Sequence, residues 1–438
     1  MRLAILASAA GTLLEWYDLY LAVILAKVLS NRLFPGGEST YFLETLAIVG
    51  SSFFVRPLGA LFFGSLGDRK GRKQSFLLSL LLMGGATFLI GLIPSFQQVG
   101  WFAPFLLLAL RLMQGFALSG EYSGAIIYVS ENAPAHRRGF YTGFIQATVP
   151  VGLLLCLSVV LLVQSLMSVE DFNEWGWRIP FLSSSVLVVF SYLIRKKMEE
   201  TPVFAQMRAS GNLAQSPIRE SIGSWKKWRL MLLIIFGGNA AQSTIMQTAQ
   251  FVTLYFLQRA VKIEEHTSLL ILAIALLFGA PFFQLAGKWS DQYGRRKVIY
   301  AGLCLGAVSI PVSFYLFNLW GNPTHLTETH AISGPLIAIF ALLTFINTFA
   351  SALVYGPMGA YVMEFFAGRT RYTSMGFTHN IGNGVLGGAT PLVTEFIKAN
   401  LLVGAAFAPY VGLLYPMSLV AIALVLNPCL KKVNIEAD

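Results

Sequence analysis

Residues 128–146, YVSENAPAHRRGFYTGFIQ, align without a gap with residues 361–379, YVMEFFAGRTRYTSMGFTH. The match pairs Tyr128-Val129 with Tyr361-Val362, Glu131 with Glu364, Arg138 with Arg371, and Gly143-Phe144 with Gly376-Phe377. A second pair, GSLGDRKGRK (64–73) and GKWSDQYGRRK (287–297), sets Asp68 against Asp291. Both pairs run in the same direction, so the chain is an internal duplication whose halves share one orientation.

The composition says where such a chain lives. Of 438 residues, 55% are hydrophobic and 12% charged, about half the charge of an ordinary soluble domain. Apolar runs of about 20 residues give twelve helices, near 5–30, 41–63, 75–94, 101–130, 140–166, 177–194, 230–257, 267–286, 298–318, 334–363, 373–397 and 405–429. The polar stretch 195–229 separates six from six. An all-α membrane protein follows, with an N-terminal six-helix bundle (1–194), a linker (195–229) and a C-terminal six-helix bundle (230–438).

Most lysines and arginines fall on one face: Arg2, the four of DRKGRK, Arg137 and Arg138, eight in the linker, Lys288 with GRRK, Arg369 and Arg371, and Lys431 and Lys432. The opposite loops hold acids, among them Glu38, Glu44, Glu170, Asp171 and Glu264. The positive-inside rule makes the basic side, both termini and the linker cytoplasmic. A net charge of +10 does not imply nucleic acid, because the cations are scattered between apolar runs rather than gathered on a soluble domain. The start, MRLAILASA, has an apolar core too short for a secretory signal and reads as the entry to the first span. Three cysteines, Cys156, Cys304 and Cys429, imply no disulfide framework. GNGVLG (382–387) fits a dinucleotide fingerprint, but it lies in an apolar run without the strand that motif needs, and close helix contact explains its small residues better. With no metal-ligand cluster, phosphate loop or catalytic motif, neither enzyme, cofactor nor metal is expected.

Charged groups inside spans are costly and mark function. Glu15 and Asp18 in LLEWYDLYLAVIL (13–25) share a helix face and read as proton carriers; the alternative is an inert pair with Arg56 or Arg111. Those two arginines are candidates for a carboxylate-bearing solute or for counter-ion duty. On helix four Gln114 and Glu121 share a face, Glu121 being a further proton candidate. Helix seven carries an amide stripe, Asn239, Gln242, Ser243, Gln247 and Gln250, suited to solute binding or to holding helices together.

The loop GDRKGRK resembles the hallmark loop of the major facilitator superfamily. GxLxEWYD, RLMQGFALSGEYSGA, WGWRIPF and RKKMEETPVF resemble its metabolite:proton symporter family, which includes carriers for citrate, 2-oxoglutarate, shikimate and proline or glycine betaine. The likeness runs from about residue 11 to 397. It implies two pseudo-symmetric bundles with a solute site between them, no partner beyond solute, proton and membrane lipid, a monomer, and a bacterial inner membrane. It also implies gates. Asp68 would meet the start of helix eleven near Tyr372-Thr373, and by the repeat the pseudo-equivalent target of Asp291 would be the start of helix five near Gly139; the alternative is that the basic residues of these loops only set topology and meet anionic lipid. Arg72, Glu131, Arg138, Arg295, Glu364 and Arg371 belong to the same constellation. His379, aligned with Gln146 by the repeat, stands where relatives usually have an aromatic residue; both are solute candidates, and His379 is alternatively a contact for the proton or a buried histidine bonded to a backbone carbonyl. The expectation is a proton-coupled importer of a small polar organic solute, an organic acid or a proline/betaine-like zwitterion. A drug or metabolite/proton antiporter would carry a Gly-Pro-x-x-Gly-Gly signature on helix five, where VPVGLLL stands. A nutrient sensor would need a longer tail than KKVNIEAD.

Overall fold

A computed structural model describes residues 2–35, 38–197, 199–324, 326–401 and 407–430. Lys431, Lys432 and the tail they open lie outside the described residues, as do the side chains of Arg2 and Glu38.

Backbone polar groups in a bilayer have to be satisfied within the segment, and helices do this. Twelve form. The first is α1 (Arg2–Ile24 and Ala26–Leu33), followed by α2 (Glu38–Lys70), α3 (Arg72–Gly91), α4 (Phe102–Asn132), α5 (Arg138–Ser165) and α6 (Arg178–Lys196). The second set is α7 (Trp225–Arg259), α8 (Glu265–Tyr293), α9 (Arg295–Gly321), α10 (Gly334–Met363), α11 (371–400) and α12 (Ala408–Cys429). Among the described residues, ten of these, all but α1 and α11, are long and apolar enough to cross a membrane by length and composition. Of those two, α1 carries Glu15 and Asp18, and α11 carries His379, Asn380 and Asn383. The protein is thus an all-α membrane protein.

The duplication is visible in the joints. Between α2 and α3 the chain turns on Gly71 (φ +121°), and between α8 and α9 on its repeat partner Gly294 (φ +97°), a left-handed conformation that a side chain would strain. Short 3₁₀ turns at Ala135–Arg137 and Gly368–Thr370 introduce α5 and α11 in the same way. Between the halves, α2 meets α11 and α5 meets α8 at small residues. A Cβ on Gly64 would lie 2.6 Å from Thr373 Cα, and one on Gly139 2.4 Å from Gly287 O.

One departure from symmetry concerns helix pitch. Helix α7 contains two π-helical turns, Ile235–Asn239 and Thr248–Val252, and α11 a longer one, Asn380–Gly387. The corresponding part of α5 stays α-helical through Pro150. The stretch 195–229 is not purely a linker. Helix α6 continues to Lys196, α7 begins at Trp225, and Pro202–Ala209 and Pro217–Ile222 are short helices between them.

Candidate solute and proton sites

Where the halves meet, polar side chains from both are buried together. Arg56 on α2 donates through Nε to Asn380 Oδ1 on α11 (2.8 Å). Its Nη2 has no hydrogen-bond partner, and among the described residues it has no carboxylate within ion-pair distance. Its guanidinium carbon lies 5.8 Å from the centroid of the Phe53 ring. Tyr122 on α4 donates to Gln146 Oε1 on α5 (2.6 Å) and stacks on His379 of α11, with centroids 4.4 Å apart. Asn383 donates to the Tyr355 hydroxyl (3.2 Å). Both polar atoms of Asn239 and of Gln242, together with Gln146 Nε2 and His379 Nε2, are buried without a partner. Such groups cost about 1–3 kcal/mol each to leave unmade, so this is a surface held ready for something polar. Ser243 packs on Gly387 in the same α7–α11 seam. The glycines of GNGVLG allow this approach: a Cβ on Gly382 would meet Asn239, and one on Gly384 would meet Arg56.

Arg111 and Gln114 do not join this cluster. Arg111 donates to Val49 O, Leu19 O, Ser52 Oγ and Gln114 Oε1, and Gln114 passes its amide on to Thr87 Oγ1 (2.7 Å). Every partner lies in the first half. Here the guanidinium is a brace of α1, α2 and α4 instead of a charge offered to a solute.

Two of the acids form a second centre around Arg195. Glu15 of α1 and Glu121 of α4 both pair with Arg195, the first at 3.5 Å. The guanidinium also lies 3.9 Å from the Phe76 ring centroid. Ser79 donates to Glu121 Oε2 (2.9 Å). All three charged side chains are about 1% exposed, and Arg195 passes α1 where only Gly11 leaves room. Asp18 is also buried; it faces Thr87, and its Oδ1 has no partner. The cation that Glu15 meets is therefore neither Arg56 nor Arg111. Arg195 looks from the sequence like the first cation of the linker, yet it is the last buried position of α6, on the face of Ser184 and Ser191. That seven-then-four spacing was the available signal for it. Tyr355, Asn380 and Asn383 had none.

On the basic side, Asp68 accepts from Tyr372 N (3.3 Å), Thr373 N (2.9 Å) and Thr373 Oγ1 (2.7 Å), and from Arg72 Nη1 (2.5 Å). Those amides are orphan donors of the α11 N-terminus. Asp291 makes the corresponding contact, accepting from Gly139 N (2.9 Å) and Phe140 N (2.7 Å) of α5. Arg371 reaches across to Glu131 (3.1 Å), while Arg295 joins Asp291 (3.0 Å) to Glu364 (2.7 Å) within the second half. Arg138 lies near Arg371, and its Nε makes no hydrogen bond. The linker adds a strap: Glu220 pairs with Arg369 (2.6 Å). Slight burial opposes its ionisation, but the Ser216 amide and the guanidinium hold the carboxyl below its usual range.

Asp68→Asn removes an ionic acceptor from a buried site and weakens this closure by about 2–3 kcal/mol. The expected result is slower transport with equilibrium solute binding nearly intact, measured on reconstituted protein. Asp291→Asn, at a more exposed pair, should do less.

Two parallel six-helix halves closed over uncommitted buried charge define a secondary transporter of the major facilitator type. Residues 3–227 match the family model described as "Sugar (and other) transporter". The chain belongs to that family of the major facilitator superfamily. It is 31% identical to an inner membrane metabolite transport protein of Escherichia coli (strain K12), over 96% of this chain and 93% of that one. It is 34% identical to the shikimate transporter of Escherichia coli (strain K12), over 92% and 88%. With a proline/betaine transporter of Salmonella typhimurium it shares 32% identity, over 91% and 78%. Among solved structures, a proton:xylose symporter superposes with a TM-score of 0.70 at 18% identity, covering 98% and 94%, which is a likeness of fold. The protein is a membrane transporter and not an enzyme.

Proposed function

We propose that this transporter is a proton-coupled symporter importing a small solute that bears a carboxylate, across an inner membrane with both termini cytoplasmic. The observation that carries this reading is a charge imbalance split between two buried centres. Arg56 has a cation to spare among unpartnered amides where the halves meet. Glu15 and Glu121 share Arg195, while Asp18 is buried with no ion pair among the described residues. A carboxylate solute neutralises the first centre with charge-assisted hydrogen bonds. A proton neutralises the second, because an unpaired carboxylate buried in low dielectric costs several kcal/mol. The named substrates of the relatives, shikimate, alpha-ketoglutarate and proline/betaine, all bear carboxylates. An exporter of cationic drugs would need an acid where Arg56 stands.

Mechanically, units 1–194 and 230–438 rock about the solute while the basic side opens by releasing Asp68 and Asp291. Asp18 is the first candidate for the travelling proton, since among the described residues it has no cation of its own. Asp18→Asn, which mimics the protonated acid, should abolish uptake driven by a pH gradient while retaining solute exchange at equal concentrations. Should Asp18→Asn and Glu15→Gln both still accumulate solute with normal proton dependence, the acids are structural. A thermal-shift screen tests the solute class: organic acids and betaines should raise the melting temperature, and a response to neutral sugars alone would rule the carboxylate out.

A further inference from the structure

We infer that Tyr372 is the stopper that closes the acid centre to the basic side, so that the helix end which locks the gate also bars the proton's exit. The inference rests on the symport reading above and adds the element that makes solute gate and proton gate one part.

Tyr372 is the second residue of α11. Its backbone N–H donates to Asp68, and its side chain turns inward, between α2, α3 and α4. The ring passes Gly67, where a Cβ would come within 2.2 Å of it. The hydroxyl donates to Gly120 O (2.5 Å), the carbonyl one residue before Glu121, and lies 3.5 Å from Ser75 Oγ. Ser79, one turn beyond Ser75 on α3, is the serine that donates to Glu121. A Cβ on Gly124 would touch both the Tyr372 hydroxyl (2.3 Å) and the Phe76 ring (3.1 Å), the ring on which Arg195 rests. Tyr372 and Phe76 thus fill the space between Arg72 with Asp68 on one side and Arg195 with Glu15 and Glu121 on the other.

The hinge argument is geometric. Opening the basic side breaks the Asp68 contacts with Tyr372 and Thr373 and draws the start of α11 away from α2. The ring is rigidly attached to that helix start and leaves its slot with it. Water then reaches Glu121 and Glu15 only in the open state, which is what coupling requires: a carboxyl that sees the two sides in turn and never both. If the acids were open to the basic side while the gate was shut, protons would slip through without solute.

The test uses full-length protein in liposomes loaded with a pH-sensitive dye, under a pH gradient and without solute. Wild type should hold the gradient. Tyr372→Ala should dissipate it about tenfold faster, equivalent to a barrier lowered by about 1.4 kcal/mol, whereas Tyr372→Phe, which keeps the ring but loses the hydroxyl, should stay tight. Adding Glu15→Gln and Glu121→Gln to Tyr372→Ala should stop the leak, because the path runs through the acids. A tight Tyr372→Ala protein that still exchanges solute, or a leak indifferent to the two glutamine changes, overturns the stopper. If Tyr372→Ala does not fold, Asp68→Asn decides: it releases the same helix start and should leak, and a tight vesicle overturns the inference. Solute-driven proton movement in the wild-type vesicles is read in parallel. Its absence overturns symport itself, a result distinct from a tight Tyr372→Ala.

Discussion

Arg195→Gln should lower the stability of the transporter by about 3–5 kcal/mol, the usual result of removing one partner from a buried ion pair. The change strands Glu15 and Glu121 side by side with no cation, in a pocket closed by Phe76 and Ser79. Removing the stranded charges reverses the loss. Arg195→Gln combined with Glu15→Gln and Glu121→Gln should recover most of the melting temperature in detergent, yet remain unable to drive uptake with a pH gradient. A single Arg195→Gln protein that melts with the wild type would mean the guanidinium does not hold the acids.

Arg56→Gln should behave in the opposite way. This arginine is equally buried, but its Nε donates to an amide, Asn380, and no described carboxylate pairs with it. Taking away an uncompensated charge relieves the solute-free protein, so the melting temperature without solute should hold or rise. The cost falls on binding: about 3 kcal/mol of charge-assisted hydrogen bonding to a carboxylate is lost, which raises Kd roughly 100-fold. Isothermal titration and melting curves on the same sample separate the two effects. A neutral solute bound equally well by both proteins would disconnect Arg56 from recognition.

These two arginines also mark what the sequence can and cannot reveal. The repeat around Glu131 and Glu364 fixes six helices plus six, and the resemblance of GDRKGRK to a hallmark loop directs attention to Tyr372-Thr373, where Asp68 makes its contacts. Arg56 stands out because a cation inside an apolar run demands a reason. Arg111 stands out equally, but its demand is met by carbonyl oxygens with spare lone pairs, Val49 O and Leu19 O, which no residue pattern announces. Arg195 is hidden by context: it opens RKK at the mouth of a polar linker, and a cation there reads as topology until α6 is seen to carry it inward. The stacking of Tyr122 on His379 joins residues far apart in the chain, and pairings of that kind are set by how the halves dock.

The π-helical stretch Asn380–Gly387 has a consequence for the history of the duplication. The two halves match without a gap up to His379 and Gln146, and α11 changes pitch at the next residue while α5 stays regular. Widening a helix by one residue rotates every later side chain by about 100° relative to an α-helix. From that point, equivalent positions in the two copies no longer look the same way. Asn383 and Gly384, whose counterparts are Pro150 and Val151 on an ordinary helix, came to face Tyr355 and Arg56. A slip of register could thus give one descendant of a symmetric ancestor a new recognition surface without rebuilding the rest of the helix.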